Sequence, residues 1–167
     1  GLTVAFRRST FTNLNNFGAT SNNNCFYAGT PATNRLVFYD GSNSDQTMTT
    51  YKSRVAPRDA NSFREDPPFV NVTTAPYDLH IQTTVPTQLE AGGTPVSTPL
   101  SITDDYDGNT RNATTPDVGA DEGAFTPAVP MSYVSSNVTQ VTGNAFLGVN
   151  NQEIIRIEIV TTGTANP

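Results

Sequence analysis

Short runs of strand-forming residues recur along the chain, and each is bounded by asparagine, glycine, proline or serine. These runs are Leu2–Phe6, Cys25–Gly29, Arg35–Gly41, Pro68–Val72, Tyr77–Ile81 and Pro99–Thr103. β-Branched and aromatic residues favour strands, whereas the bounding residues favour turns. The asparagines of Ser21–Cys25 predict a corner, because asparagine tolerates left-handed backbone angles and stacked asparagines can hydrogen-bond along a ladder. The pattern predicts an all-β fold. The spacing of the runs excludes a strict short repeat but suits a solenoid of β-coils.

Composition and charge exclude several classes of protein. The 167 residues carry a net charge of −6, which argues against a nucleic-acid partner, since phosphate binding needs clustered lysine and arginine. Cys25 is the single cysteine, so neither a disulfide framework nor a cysteine-based zinc site is expected. No apolar run is long enough for membrane insertion. The strand-like opening "GLTVAF" leads us to expect a piece of a longer protein.

One segment has helical rather than strand periodicity. Met48, Tyr51 and Val55 are spaced as one face of a helix. Ser44 or Asp45 is a suitable cap, and a proline follows Val55 closely. We therefore predict a short amphipathic helix over Asp45–Val55 that lies against the β-body.

The pattern changes after residue 125. Two prolines make 126–131 a predicted linker. Beyond it, Ser132–Thr142 and Asn151–Thr162 are longer runs with alternating polarity. We predict that they form a half-buried antiparallel pair that begins a second domain, 132–167.

The acidic stretch "DDYDGNTRNATTPDVGADEGAF" (Asp104–Phe125) admits three interpretations. Asp105, Asp107 and Asn109 resemble the oxygen ligands of a calcium loop, although the spacing departs from the full EF-hand pattern. Alternatively, the acidic and amide side chains hydrogen-bond nearby backbone in turns. The third interpretation is a catalytic carboxylate cluster. Apart from possible calcium, no cofactor is predicted.

The turn interpretation includes a structural role for the arginine of the stretch. Arg111 is expected to pair with Asp117 or Glu122 as a buried fork. Gly119 is expected to supply a backbone angle that other residues resist.

Few residues are arranged as an enzyme requires. The available carboxylates show no spacing that marks a catalytic pair; they are Asp66, Asp78, Glu90, Asp104 and Asp105. Lys52 and Arg54 point to different faces of the predicted helix. His80 has no serine, cysteine or histidine nearby in sequence, which favours a surface position over catalysis or metal binding.

Exposed aromatic rings are candidates for sugar contact, because rings stack on sugar faces. In the pairs "FY" one ring points inward and the other outward, so Tyr27 and Tyr39 are predicted outside. Tyr106 lies in the acidic stretch. These tyrosines are the predicted glycan contacts. The alternative is that they lie on a solvent-exposed surface that binds nothing.

The sequence resembles a known family. The succession "NCFYAGTP … RLVFYDGSNSDQTMTTYKSRVAPRDANSFREDPPFVN … YDLHI … LEAGGTPV … DDYDGNTRN … PDVGADE" resembles the C-terminal coils of right-handed parallel β-helix proteins of the pectate-lyase-like superfamily. In particular it is similar to large secreted surface proteins of bacteria that use type IX secretion. The resemblance covers about residues 1–125, and its closing motif "DxDGxxR … PDxGAxE" marks the last coil in that family. Residues 131–167 resemble the opening of a β-sandwich that precedes BNR-repeat sialidase-like modules.

The resemblance implies an extracellular or cell-surface protein. We expect a non-catalytic scaffold, adhesin or glycan-contacting stalk. The first alternative is the terminal cap of a polysaccharide lyase or glycosidase whose active site lies upstream. A groove with a basic residue and at least two carboxylates would favour that enzyme. The second alternative is a fibre assembled by strand addition, in which Glu153–Val160 pairs with the rest of the parent chain or with a neighbouring chain.

Overall fold

The structure, a computed structural model, describes residues 1–9, 13–143, 148, 150, 152–153 and 155–164. It is β-rich, with 31% of residues in strands and 5% in a helix, which confirms the predicted class in its coarser form. The chain divides into two compact units, Gly1–Pro127 and Ala128–Pro167. The division falls inside the segment predicted as a linker.

The first unit contains short strands and one helix. The elements are β1 (Thr3–Arg7), β2 (Cys25–Phe26), β3 (Arg35–Tyr39), β4 (Ser44–Asp45), α1 (Met48–Val55), β5 (Phe63–Arg64), β6 (Phe69–Asn71), β7 (Asp78–Ile81), β8 (Pro86–Thr87) and β9 (Thr126–Pro127). Strand β9 uses the first residues of the predicted linker. A two-stranded sheet tolerates Pro127 there because both of its strands are edges.

Parallel pairing joins strands that are far apart in sequence. β1 pairs with β3, β2 with β5, and β8 with β9, all in parallel. β3 with β4 and β6 with β7 are antiparallel. The described strands form one three-stranded and several two-stranded sheets, and they show neither a closed nor a solenoid sheet.

Polar side chains connect segments about forty positions apart. The Ser21 hydroxyl donates to Asp59, and the Asn24 backbone N–H donates to the Ser62 hydroxyl; each pair is 38 residues apart. Asn23 has a φ of 55°, and its amide donates to the Gly92 carbonyl at 2.8 Å. The left-handed backbone predicted for the asparagine corner is therefore found at Asn23, whereas the ladder of stacked asparagines stays a prediction, because the amides of Asn23 and Asn24 donate to Gly92 and Asp59.

The core of the first unit is aromatic and small. Val37, Phe38, Tyr51 and Val55 are buried, and partly buried apolar side chains surround them: Phe6, Leu14, Phe17, Phe26 and Met48. The Tyr51 ring lies 5.4 Å from the Phe26 ring and 5.5 Å from the Phe38 ring, centroid to centroid. Such aromatic pairs add to the free energy of burial. The helix thus closes one side of the core with the face that the sequence predicted.

The helix begins later than predicted. It runs from Met48, and its cap is Thr47, whose hydroxyl accepts from the Thr50 N–H at 3.3 Å. Asp45 does not cap the helix because it lies in β4 and binds Arg54 at 2.6 and 2.9 Å. Ser44 is held in the same strand. The predicted end at Val55 is confirmed.

The predicted strand over Pro99–Thr103 is wrong. This segment lies in an irregular loop, and Leu100 and Ile102 remain exposed. The Ile102 N–H bonds locally to the Val96 carbonyl at 2.9 Å. Strand propensity did not decide the structure here because a proline lacks an N–H and no described layer covers the apolar side chains.

The second unit contains an antiparallel pair, as predicted. β10 (Ser132–Gln140) pairs with β11 (Ile155–Thr162), and the register shifts between Tyr133 and Ser135. The prediction of a half-buried pair is wrong for the described residues, since both strands are exposed along their whole length. A two-stranded ribbon needs another layer to bury a face, and the described part of this unit has none.

Candidate functional site

An open groove of about 2250 Å³ lies in the first unit. Strand β7 and the loops that follow it contribute much of its wall. Exposed apolar and aromatic side chains line it, among them Val70, Tyr77, Leu79, Val96, Ile102 and Tyr106. Amides and carboxylates alternate with them, including Asn71, Asp78, Asp107, Asn112 and Asp121. The groove is therefore amphipathic, as binding sites commonly are.

Asp105 organises the acidic loop at one edge of the groove. Its carboxylate accepts four N–H bonds: from the backbone of Asp107, Asn109 and Glu122, and from the Asn109 amide, at 2.8 to 3.1 Å. Burial opposes the charge, but these bonds outweigh it and lower the pKa of Asp105 to about 2. The turn interpretation describes this geometry, because both oxygens of Asp105 already have N–H donors.

The calcium prediction on Asp105, Asp107 and Asn109 stays a prediction. The Asn109 amide donates its N–H to Asp105. The Asp107 carboxylate points instead to His80, with a distance of 3.0 Å between Oδ2 and Nε2. Calcium needs six to eight oxygen ligands, so binding at this loop requires these side chains to turn.

Arg111 joins the two halves of the acidic stretch. Its guanidinium donates to the Glu122 carboxylate at 3.3 Å and to the backbone carbonyls of Asp117 and Gly119. The predicted pairing is thus with the carboxylate of Glu122 and with the carbonyl, not the carboxylate, of Asp117. Gly119 has a φ of 119°, as expected of a glycine-dependent corner.

The Asp117 carboxylate instead binds another loop. It accepts from the Ala91 and Gly123 N–H groups at 2.7 and 3.0 Å. Burial raises its pKa, and these bonds limit the rise. Asp117 is thus a structural connection between the acidic stretch and the loop at Ala91.

His80 lies between carboxylates in the groove. Its Nδ1 is 2.6 Å from Asp78 Oδ1, and its Nε2 is 3.0 Å from Asp107 Oδ2. Hydrogen bonds to Asp78 and then Asp107 raise the pKa of His80 to about 9. The same contact lowers the pKa of Asp78. Asp121 comes close to this pair and accepts from the Ile81 N–H at 2.7 Å.

The predicted sugar-contacting tyrosines do not share one surface. Tyr106 is 87% exposed and lines the groove. Tyr27 is exposed at 41% and lies under the Arg64 guanidinium, 5.5 Å from its ring centroid. Tyr39 is half-buried, and its hydroxyl donates to the Gly41 carbonyl. Tyr77 also lines the groove and was not among the sequence candidates.

The groove contains the groups that the sequence analysis required of an enzyme, namely a basic residue and at least two carboxylates. His80 is basic, and carboxylates surround it. A general base must be unprotonated near the working pH, and a general acid must hold its proton. With a pKa of about 9, His80 is charged at neutral pH, while Asp78 is ionised. At neutral pH the cluster is therefore an ion-pair network, and the groups that the enzyme alternative requires are present in the groove.

The convergence of His80, Asp107 and Asp121 was not visible in the sequence. His80 comes from β7, whereas Asp107 and Asp121 lie in two turns of the acidic stretch, and no motif spacing connects His80 to that stretch. The two basic residues of α1 that the sequence analysis considered for catalysis do not line the groove. Arg54 pairs with Asp45, and Lys52 lies outside the lining. Cys25 is half-buried, and burial raises the pKa of its thiol to about 11, so the thiol is protonated at neutral pH.

Comparison of the chain with family models, with curated proteins and with solved structures found no match. No helix in the described residues is long and apolar enough to cross a bilayer.

Proposed function

We propose that this chain is a non-catalytic, glycan-contacting segment of a secreted or cell-surface bacterial protein. In this proposal residues 1–125 are the last coils of a right-handed parallel β-helix, and residues 132–167 open a β-sandwich. The chain acts as part of a scaffold or adhesin stalk, and carbohydrate lies in the groove of the first unit.

The β-helix part of the proposal is supported by the direction and spacing of the contacts. Three pairs of strands are parallel and link distant segments. Hydrogen bonds recur at separations of 38, 39 and 40 residues, as between Asn22 and Asn61 or Ile81 and Asp121. The parallel strand pairs join residues 32, 38 and 40 positions apart, as stacked coils of unequal length would place them in contact.

The observation that carries the binding proposal is the pair of exposed tyrosines in one groove. Tyr77 and Tyr106 are 66% and 87% exposed, although burying an aromatic ring is favourable. Amide and carboxylate groups, which hydrogen-bond sugar hydroxyls, line the same groove. The charged groups nearby are already paired with one another, which favours a neutral polar ligand.

A glycan array followed by calorimetry tests this proposal. Tyr77→Ala and Tyr106→Ala should each weaken a bound oligosaccharide about tenfold, as loss of an aromatic anchor does. Tyr133→Ala is the matched control, because Tyr133 is 64% exposed but belongs to the second unit. Equal affinity of all three variants, or turnover of the polysaccharide by the wild-type chain, would contradict the proposal. Turnover would place an active site in this chain itself, whereas the alternative of an enzyme cap has its active site upstream.

A second candidate function is assembly through the second unit. Val138, Ile157 and Ile159 are 59%, 62% and 64% exposed on the β10–β11 ribbon. Exposed apolar strands with open edges pair readily with other strands. Strands of the parent chain or of a neighbouring chain could therefore complete this ribbon along Glu153–Val160.

The assembly candidate predicts a concentration-dependent mass. Light scattering of the wild-type chain should show oligomers, and Ile157→Thr should shift them towards the monomer. Ser136→Thr, on the partner strand, is the control. A monomeric wild type at all concentrations would exclude self-assembly and leave the parent chain as the partner.

A further inference from the structure

We infer that His80, Asp107 and Asp121 form a binding site for Zn²⁺, with at least one coordination position open to water or to an external ligand. Each residue offers one ligand atom, and these atoms all lie within 4.8 Å of one another. The inference is independent of the proposed carbohydrate binding, since it depends only on these side chains and their supports.

The ligand set fits zinc better than calcium. Zinc is bound by imidazole nitrogen and carboxylate oxygen at roughly 2.0–2.2 Å, with three protein ligands where a site keeps an open position. Tetrahedral bonds of that length place ligand atoms roughly 3.4 Å apart. His80 Nε2 and Asp107 Oδ2 are 3.0 Å apart, so small side-chain adjustments reach that geometry. Calcium prefers oxygen ligands alone.

The surroundings of the histidine are those of a metal ligand. A ligating histidine usually donates its other ring N–H to a carboxylate, which fixes the ring and the tautomer. His80 has this arrangement: Nδ1 is 2.6 Å from Asp78 Oδ1, Nε2 is 3.0 Å from Asp107 Oδ2, and Asp121 offers a further ligand atom within 4.8 Å. An exposed histidine held by a single surface ion pair would not need both ring nitrogens aligned.

The two carboxylate ligands are also positioned by the fold. Asp121 accepts from the Ile81 N–H at 2.7 Å, so strand β7 holds both His80 and the orientation of Asp121. Asp107 belongs to the turn that Asp105 organises, and its own N–H donates to Asp105 at 2.9 Å. The ligands therefore come from separate segments, but backbone hydrogen bonds support each of them.

Metal binding replaces a proton in this arrangement. In the metal-free protein both ring nitrogens contact carboxylates, so each carries a proton. Zn²⁺ takes the lone pair of Nε2 after that proton leaves to the solvent, while the proton on Nδ1 stays with Asp78. The charge of the two ligating carboxylates offsets that of the ion.

Calorimetry with zinc chloride on the full chain, without a polyhistidine tag, tests the inference. We expect one Zn²⁺ per chain, with affinity at least tenfold weaker in His80→Ala and Asp121→Asn. Asp78→Asn, which removes the outer carboxylate, should weaken binding about tenfold or more. Asp104→Asn is the matched control; it removes a nearby negative charge whose carboxylate accepts from Thr103, and zinc affinity should be unchanged.

A second measurement needs no variant. The chain has a single histidine, so its ring C–H resonances report on His80 alone, and saturating Zn²⁺ should shift them with one-to-one stoichiometry. Unchanged His80 resonances, or equal zinc affinity in His80→Ala, would overturn the inference. Tighter binding of Ca²⁺ than of Zn²⁺, lost in Asp105→Asn but kept in His80→Ala, would also overturn it.

Discussion

The Tyr51 hydroxyl donates a hydrogen bond to the Asp59 carboxylate, and both side chains are fully buried. Asp59 also accepts from the hydroxyls of Ser21 and Ser62 and from the Asn24 amide. Burial alone would raise the pKa of Asp59, but these donors outweigh it and lower the pKa. One carboxylate thus connects the helix to segments on both sides of it in sequence.

We expect Tyr51→Phe to destabilise the first unit by about 1–3 kcal/mol, because a buried carboxylate loses a donor. Chemical denaturation measures this change. Tyr39→Phe is the matched control, since it removes a hydroxyl from a half-buried tyrosine whose partner is a nearby carbonyl, and it should change stability little.

The same carboxylate gives stability a defined dependence on pH. The folded pKa of Asp59 lies below the unfolded value of 3.8. Its contribution is therefore present above the unfolded pKa and is lost as the pH falls through the folded pKa. Asp59→Asn should be less stable than wild type near neutral pH, and the difference should shrink in acid. A constant difference down to the acid transition would contradict this.

The structure and the sequence place the N-terminal cap of the helix at different residues. Thr47→Ala should cost about 1 kcal/mol, because the Thr50 N–H loses its acceptor. Ser44→Ala, at the position that the sequence offered, should cost much less, since Ser44 is exposed in β4. Equal losses in thermal or chemical denaturation would mean that Thr47 does not cap the helix.

The features that the sequence predicted correctly are set by residues close to one another in the chain. The helix face of Met48, Tyr51 and Val55 follows from spacing alone, and the left-handed backbone at Asn23 follows from residue type. The pairing of Arg111 with Glu122 follows from two opposite charges on one short loop.

What the sequence did not predict depends on contacts between distant segments. Ser44 and Asp45 have good capping chemistry, but the pairing of β4 with β3 and of Asp45 with Arg54 removes them from the helix end. His80, Asp107 and Asp121 meet only because loops after β7 return to it. Neither the removal of these caps nor the meeting of these three side chains can be read from the local sequence.

Close packing at a glycine gives a further prediction. A Cβ on Gly93 would lie 2.6 Å from the Pro116 carbonyl oxygen, and the Gly93 N–H donates to that same oxygen at 2.7 Å. Gly93→Ala should therefore destabilise the first unit by about 1–3 kcal/mol, because backbone must move. Gly18→Ala is the matched control, since a Cβ there meets nothing within 4 Å. Similar denaturation midpoints for both variants would contradict this packing.

The contact of His80 with two carboxylates predicts an unusual titration. Asp78 and Asp107 raise the pKa of His80 from 6.5 to about 9, so its ring resonances in chelator-treated protein should titrate near that value. A raised pKa contributes stability that is present below 6.5 and is lost as the pH rises through about 9. Asp107→Asn should lower the measured pKa towards 6.5, whereas Asp104→Asn should leave it nearly unchanged. A wild-type value close to 6.5 would mean that His80 lacks these partners in solution.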